Sequence, residues 1–259
     1  MTKNTDQLDS KKRFSDRVED YEKYRPSYPL EIIEFLTKEK LLDKNSILAD
    51  IGSGTGLLTK IFLANGNKVY GVEPNQEMRE AGEIFLKKYN NFQSINGSSE
   101  NTNLPDHSID LITAGQAYHW FNIEQTKIEF KRILKDFNKD NIILIWNNRT
   151  ETTDFNKSYE QLIQKFSNKT IHVDHKKDEK IKAGIFFDKK FKKEIFYNEQ
   201  KMSLKELRGR ILSSSYMIKK ADESFTIFEK ELENFFQKYE QNGKVLLIYD
   251  TELFYGRIL

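Results

Sequence analysis

The residues able to do chemistry in this chain of 259 residues crowd into one stretch. Asp50 lies in the short apolar run Ile47–Ile51, and Gly52-Ser53-Gly54-Thr55-Gly56 follows at once. Glycine tolerates positive φ and lets backbone approach a ligand closely, and a helix opening behind such a turn presents unpaired N–H groups. A nucleotide cofactor fits there, although a glycine-rich turn alone is also what a linker or capped turn contains. The next apolar run, Lys68–Glu73, ends in an acid about 20 residues beyond the loop, where a doubly wound fold places a carboxylate against ribose hydroxyls. An acid closing a buried strand is costly unless something pairs with it. Further on, Ile109–Ala114 leads into Gly115-Gln116-Ala117-Tyr118-His119-Trp120-Phe121. His119 is one of four histidines and titrates near neutrality, so it is the candidate general base; beside Trp120 it could equally be a packing and hydrogen-bonding group. Trp120 and Phe121 suit a pocket wall or core, and Tyr118 joins them. Upstream, Tyr21, Tyr24, Arg25 and Tyr28 offer hydroxyls and a guanidinium whose fork matches a carboxylate. These either close over the site or pack on the domain.

Alternating elements must position these groups. The spacing of Ile32, Ile33, Phe35 and Leu36 predicts a helix over Leu30–Glu39. Strands are expected at Ile47–Ile51, Lys68–Glu73, Phe92–Asn96, Ile109–Ala114 and Ile142–Asn147, with helices from about Gly56 to Ala64, Asn75 to Tyr89 and Ile123 to Phe137. Strand and helix taking turns implies a parallel sheet covered on both faces, with ligands at its carboxyl edge. From Thr150 to Lys190 the chain turns polar and Lys-rich and reads as an insertion. Beyond it, Lys192–Lys201 suits a strand, Leu204–Leu212 and Phe225–Tyr239 suit helices, and Lys244–Tyr249 suits a last apolar strand.

The segments LADIGSGTG, VYGVEPNQEM and NGSSENTNLPDHSIDLITAGQAYHWF together resemble the motif series of class I S-adenosylmethionine-dependent methyltransferases. The arm YEKYRPSYP and the ending YDTELFYGRIL resemble the bacterial and fungal branch that includes trans-aconitate-type and other small-molecule methyltransferases. The resemblance implies an α/β, Rossmann-like sheet of seven strands, mostly parallel with the last strand antiparallel, plus a helical cap. It implies an arm over residues 1–29, a cofactor-binding core over 30–149, a cap insertion over 150–190 and completion of the sheet over 191–259. It also implies methyl transfer by in-line displacement from S-adenosylmethionine, leaving S-adenosylhomocysteine, to a small-molecule acceptor, with a carboxylic acid as one candidate class. Gly52, Ser53 and Gly54, with Thr55 and Gly56, would wrap the methionine part. Asp50 would support the loop or the ammonium, Glu73 and Pro74 the ribose, and Asn75 and Met78 the adenine. The usual adenine-binding acid after the third strand is replaced here by Ser98, Ser99 and then Glu100, which leaves that contact open. Gln116 would touch the methionine carboxylate or the substrate, and Tyr21 and Arg25 would close over the cofactor. Tyr28, Tyr118, His119 and Trp120 would line the substrate pocket. A carboxylate acceptor is already nucleophilic and needs no base, whereas a phenol or amine would use His119 or a tyrosine.

Composition narrows the alternatives. With 42 Lys plus Arg against 40 Asp plus Glu, the balance gives no electrostatic case for nucleic acid or anionic membrane. No cysteine is present, so disulfides, thiolate ligands and cysteine nucleophiles are excluded, and His172 and His175 lack the pattern of a metal site. The polar N-terminus predicts a cytoplasmic protein, and its state as monomer or homodimer stays open. A dehydrogenase would need the other glycine spacing, and a nucleic-acid methyltransferase a basic surface. A cofactor-binding regulator without turnover is the remaining rival.

Overall fold

A computed structural model describes residues 24–167, 183–214 and 216–258; Tyr21 lies outside these. The chain runs through α1 (Glu31–Lys38), β1 (Ile47–Ile51), α2 (Thr59–Ala64), β2 (Lys68–Val72), α3 (Gln76–Leu86), β3 (Phe92–Ile95), β4 (Leu111–Gly115), α4 (Ile123–Ile133), β5 (Ile142–Arg149), α5 (Asp154–Phe166), β6 (Phe191–Met202), α6 (Leu204–Leu212), α7 (Phe225–Tyr239) and β7 (Val245–Gly256). The strands form one sheet in the order β3-β2-β1-β4-β5-β7-β6. β1 to β5 pair in parallel, and β7 pairs antiparallel with both β5 and β6.

Alternation along each central strand divides its side chains between two cores. In β5, Ile142, Leu144 and Trp146 pack with Phe130 and Ile133 of α4 and with Phe186 and Phe187. Ile143 and Ile145 pack with Ile32 and Leu36 of α1 and with Ile61 and Phe62 of α2. Ile32 and Leu36 are fully buried, which seats α1 by roughly 2 kcal/mol for each side chain. The order reverses direction between β1 and β4, the place where ligands bind in open α/β sheets.

The cap is a third core. Phe155, Tyr159, Leu162 and Phe166 of α5, Leu207 and Ile211 of α6, and Phe228, Leu232 and Phe236 of α7 close on Met202, Val245, Leu247 and Tyr249. β6 and β7 are each 12 residues long and overrun β5, and this overhanging hairpin carries the helices. The buried Asn156 fixes α5 to it: Nδ2 donates to Thr150 O and Ile248 O, and Oδ1 accepts from Ile248 N–H.

Among the element boundaries that differ from the sequence expectation, three have a clear local cause. α2 begins at Thr59 because Gly56 sits at φ +86°, outside the helical region. α4 ends at Ile133 because Leu134 turns extended and bridges Ile109. β7 continues beyond Tyr249 to Gly256 because Asp250 points to solvent while Thr251, Leu253 and Phe254 point inward.

Candidate functional site

The glycine loop is held from beneath by β2. The N–H groups of Gly52 and Ser53 both donate to Val72 O, at 2.8 and 3.1 Å. Gly52, Gly54 and Gly56 all have positive φ, a conformation that L side chains rarely adopt. At Gly52 a Cβ would also stand 2.5 Å from that of Ala117, so the loop lies directly on the segment leaving β4. Glu73 fastens the crest: Oε2 accepts the Gly54 N–H and Oε1 the Asn75 N–H, each at 2.9 Å. Asn75 then caps α3 by accepting from Met78 N–H, and Met78 is buried against Gly54. Pro74 stands between the two.

Asp50 supports the loop from inside the sheet. Its Oδ2 accepts from the Thr59 hydroxyl at 2.6 Å and its Oδ1 from that of Thr113 at 3.0 Å, tying the first turn of α2 to β4. Burial pushes its pKa up to about 6 despite these two bonds, and the nearby Glu73 adds to the rise. Two carboxylates, Asp50 and Glu73, thus place negative charge beneath a loop of backbone N–H groups. Thr55 Oγ1 is buried with no hydrogen-bond partner among the described residues, which leaves a polar atom in the loop for a ligand to satisfy.

The carboxyl edge beyond β4 is roofed by the arm. Ser27 O accepts from Asn147 Nδ2 of β5 and Asn198 Nδ2 of β6, and Tyr24 O accepts from Gln200 Nε2. Tyr28 is buried with its hydroxyl against Gly115, where a Cβ would sit 2.5 Å away. Arg25 Nη2 donates to Ser213 O below α6. Gln116 adopts φ +58° and donates through Nε2 to Asn147 O at 3.3 Å.

Other sequence candidates fall elsewhere. Tyr118 is a core residue and not a pocket face, because its ring stands edge-on to Phe121, Trp146 and Phe186. His119 and Trp120 are exposed and stack at a tilt, with centroids 4.7 Å apart. Ser99 is buried and receives the Thr126 hydroxyl. Glu100 accepts the Asn122 N–H at the start of α4. Its pKa is raised by burial but lowered more by the Asn122 N–H and the Ser98 and Ser99 hydroxyls, for a net fall. It therefore fastens the loop to the helix. Ser98 alone of the three stays half-exposed without being drawn into α4.

A model of the methyltransferase domain matches residues 49–136, which span the loop, Glu73 and the edge beyond β4. One methyltransferase of Schizosaccharomyces pombe is 30% identical over 202 residues, covering 78% of this chain and 77% of that protein. The chain belongs to the S-adenosylmethionine-dependent methyltransferases. A second Schizosaccharomyces pombe methyltransferase-like protein is 33% identical over 156 residues, 60% of this chain and 59% of that protein's length. Among solved structures, a type II methyltransferase described from Anaeromyxobacter dehalogenans shares the fold at 16% identity, with a TM-score of 0.65 over 91% of this chain and 99% of that one.

The residues present suit the methyltransferase cofactor. S-adenosylmethionine supplies a methyl group on a positively charged sulfur, and the chain sets the paired negative charge of Asp50 and Glu73 against a cation. A carboxylate accepts up to about four hydrogen bonds, so holding the loop is compatible with Glu73 also accepting from hydroxyls. Among the described residues, no group of three His, Asp or Glu is arranged to hold a metal, and no helix is long and apolar enough to cross a membrane.

Sequence reasoning passed over Asn147, Asn198, Gln200, Arg149, Arg210 and Tyr216. A signal was present for some of them: Asn147-Asn148-Arg149 closes the apolar β5 as Asp50 and Glu73 close β1 and β2. Arg210 sits between Leu207 and Ile211 on the buried stripe of α6.

Proposed function

We propose that the chain transfers the methyl group of S-adenosylmethionine to a small molecule, a carboxylic acid, held between the carboxyl edge of the sheet and the roof formed by the arm and the cap helices. In this reading Gly52, Ser53 and Gly54 hold the methionine part, Glu73 the ribose, and Met78 and Ser98 the adenine side. The observation that carries the small-molecule reading is the double tie on Ser27 O from Asn147 and Asn198. It straps the arm across the end of β5, which supports a compact acceptor over a polymer. The acid is supported by charge. Burial raises the pKa of Tyr216, but Arg149, Arg210 and Arg25 outweigh it and the net shift is downward; these cations favour an anion.

The test is isothermal titration with S-adenosylmethionine, followed by a screen of small acids, phenols and amines for S-adenosylhomocysteine release. Turnover confined to acids is the expected result. Turnover on amines or phenols alone would overturn the acid assignment, and cofactor binding without turnover on any class would favour a regulator.

A further inference from the structure

Behind the arm lies a buried positive charge that no carboxylate among the described residues meets. Arg210 is 3% exposed. Its Nε donates to Tyr249 Oη at 3.2 Å and its Nη1 reaches Ser214 Oγ at 3.4 Å, and among the described residues it makes no ion pair. A guanidinium carries five N–H donors, so bonds to two neutral hydroxyls leave most of its fork for another group. Arg149, nearby, is answered differently: its Nε and Nη2 grip Glu160 at 2.5 and 3.2 Å, and its guanidinium lies 5.5 Å from the Tyr159 ring. Taking an ion out of water is costly unless an opposite charge or enough further hydrogen bonds answer it. The charge of Arg210 is thus the uncompensated one of this pair.

Its position connects it to the methyl-transfer site. Tyr249, which bonds Arg210, is the register partner of Arg149 at the carboxyl end of β5. Tyr249 Oη also donates to Gln200 Oε1, and Gln200 in turn holds Tyr24 O of the arm. β5 is two strands from β1, roughly 10 Å at ordinary strand spacing, a distance that one small molecule bridges. Tyr216, whose hydroxyl burial pushes up but Arg149, Arg210 and Arg25 hold below its ordinary pKa, reports the same positive field.

We propose that Arg210 anchors a carboxylate of the acceptor other than the group that receives the methyl, so that the substrate is an acid carrying at least one further reactive group. This rests on the acid-acceptor reading above and adds the residue and the second functional group. A planar carboxylate meets the open guanidinium fork with two parallel bonds.

The experiment is isothermal titration of the full chain, with and without S-adenosylhomocysteine, using succinate, propane-1,2,3-tricarboxylate, the neutral analogue succinamide and inorganic phosphate. The carboxylates are expected to bind the native protein and succinamide to fail. Arg210→Gln should weaken carboxylate binding by at least about tenfold while S-adenosylhomocysteine affinity holds, and Arg210→Lys should restore part of it. Native protein that binds no carboxylate, binds succinamide as well, or prefers phosphate would overturn the proposal, as would Arg210→Gln binding carboxylates like native protein. Should that variant not fold, phenolate absorbance of the native protein decides: bound carboxylate should raise the Tyr216 titration, and no movement overturns the proposal. Carboxylate binding through Arg210 with methyl transfer only to amino or phenol groups of acids, never to a carboxylate, would sink the acid-acceptor reading and leave this one standing.

Discussion

Glu73 and Gly54 face each other across the mouth of β1 and β2, the carboxylate Oε2 accepting the glycine N–H at 2.9 Å. The same carboxylate accepts the Asn75 N–H through its other oxygen, so one side chain sets both the crest of the loop and the start of α3. In Glu73→Gln the amide nitrogen would have to face one of these two N–H groups. Losing a charged acceptor costs about 1.5–3 kcal/mol, so affinity for S-adenosylmethionine should fall by at least about tenfold. Isothermal titration checks this, and unchanged affinity would show that the loop holds its shape without Glu73.

Asp50 should make the cofactor-free protein pay a pH-dependent cost. Its folded pKa, about 6, is raised from 3.8 by burial, so the stability it contributes is fully present below about pH 4 and lost as pH rises through about 6. At neutral pH the ionised buried group costs on the order of 3 kcal/mol. Asp50→Asn keeps the shape, and the hydroxyls of Thr59 and Thr113 can rotate to suit an amide. The variant should therefore resist urea better than native protein at neutral pH, with the gap closing toward about pH 4, while binding S-adenosylmethionine more weakly. A gap independent of pH would remove burial as the cause.

What the sequence made legible follows from periodicity and local chemistry. The central strands and the loop could be read because Asp50, the glycines and Glu73 are close in sequence and their backbone demands are local. The site beyond β4 was harder. Tyr118 is indistinguishable in sequence from a pocket tyrosine, and only the packing of Trp146 and Phe186 around it makes it core. Arg210 and Tyr249 are 39 residues apart, and β7 pairing with β5 brings the latter beside Arg149; no local pattern carries such a meeting. The fastening role of Glu100 had no local signal either, because its partner, Asn122, lies 22 residues on.

Gly115 and Tyr28 should be coupled. A methyl at Gly115 would meet Tyr28 Oη at 2.5 Å and Leu58 Cδ2 at 3.0 Å, so Gly115→Ala must push the arm off the edge of β4. Overpacking of this kind costs about 1–3 kcal/mol, and the arm should become cleavable by protease near Pro26–Pro29. Tyr28→Phe removes the clashing oxygen, so the double variant should recover most of the loss. Additive effects in the double-mutant cycle would mean that the two residues do not share the strain.

His119 should be dispensable for transfer to an acid. It is exposed and stacks on Trp120, and a carboxylate is ionised at neutral pH, so no proton has to leave the acceptor before the methyl arrives. A general base contributes typically 10²–10⁴-fold, by order of magnitude. His119→Ala should therefore change kcat on an acid acceptor by less than about threefold, with the pH–rate profile flat across about pH 6–8, where histidine titrates. A loss of about 100-fold with a histidine-like limb in the native profile would restore the base. It would also move the acceptor to a phenol or amine, because only an acceptor with a proton to lose makes His119 matter.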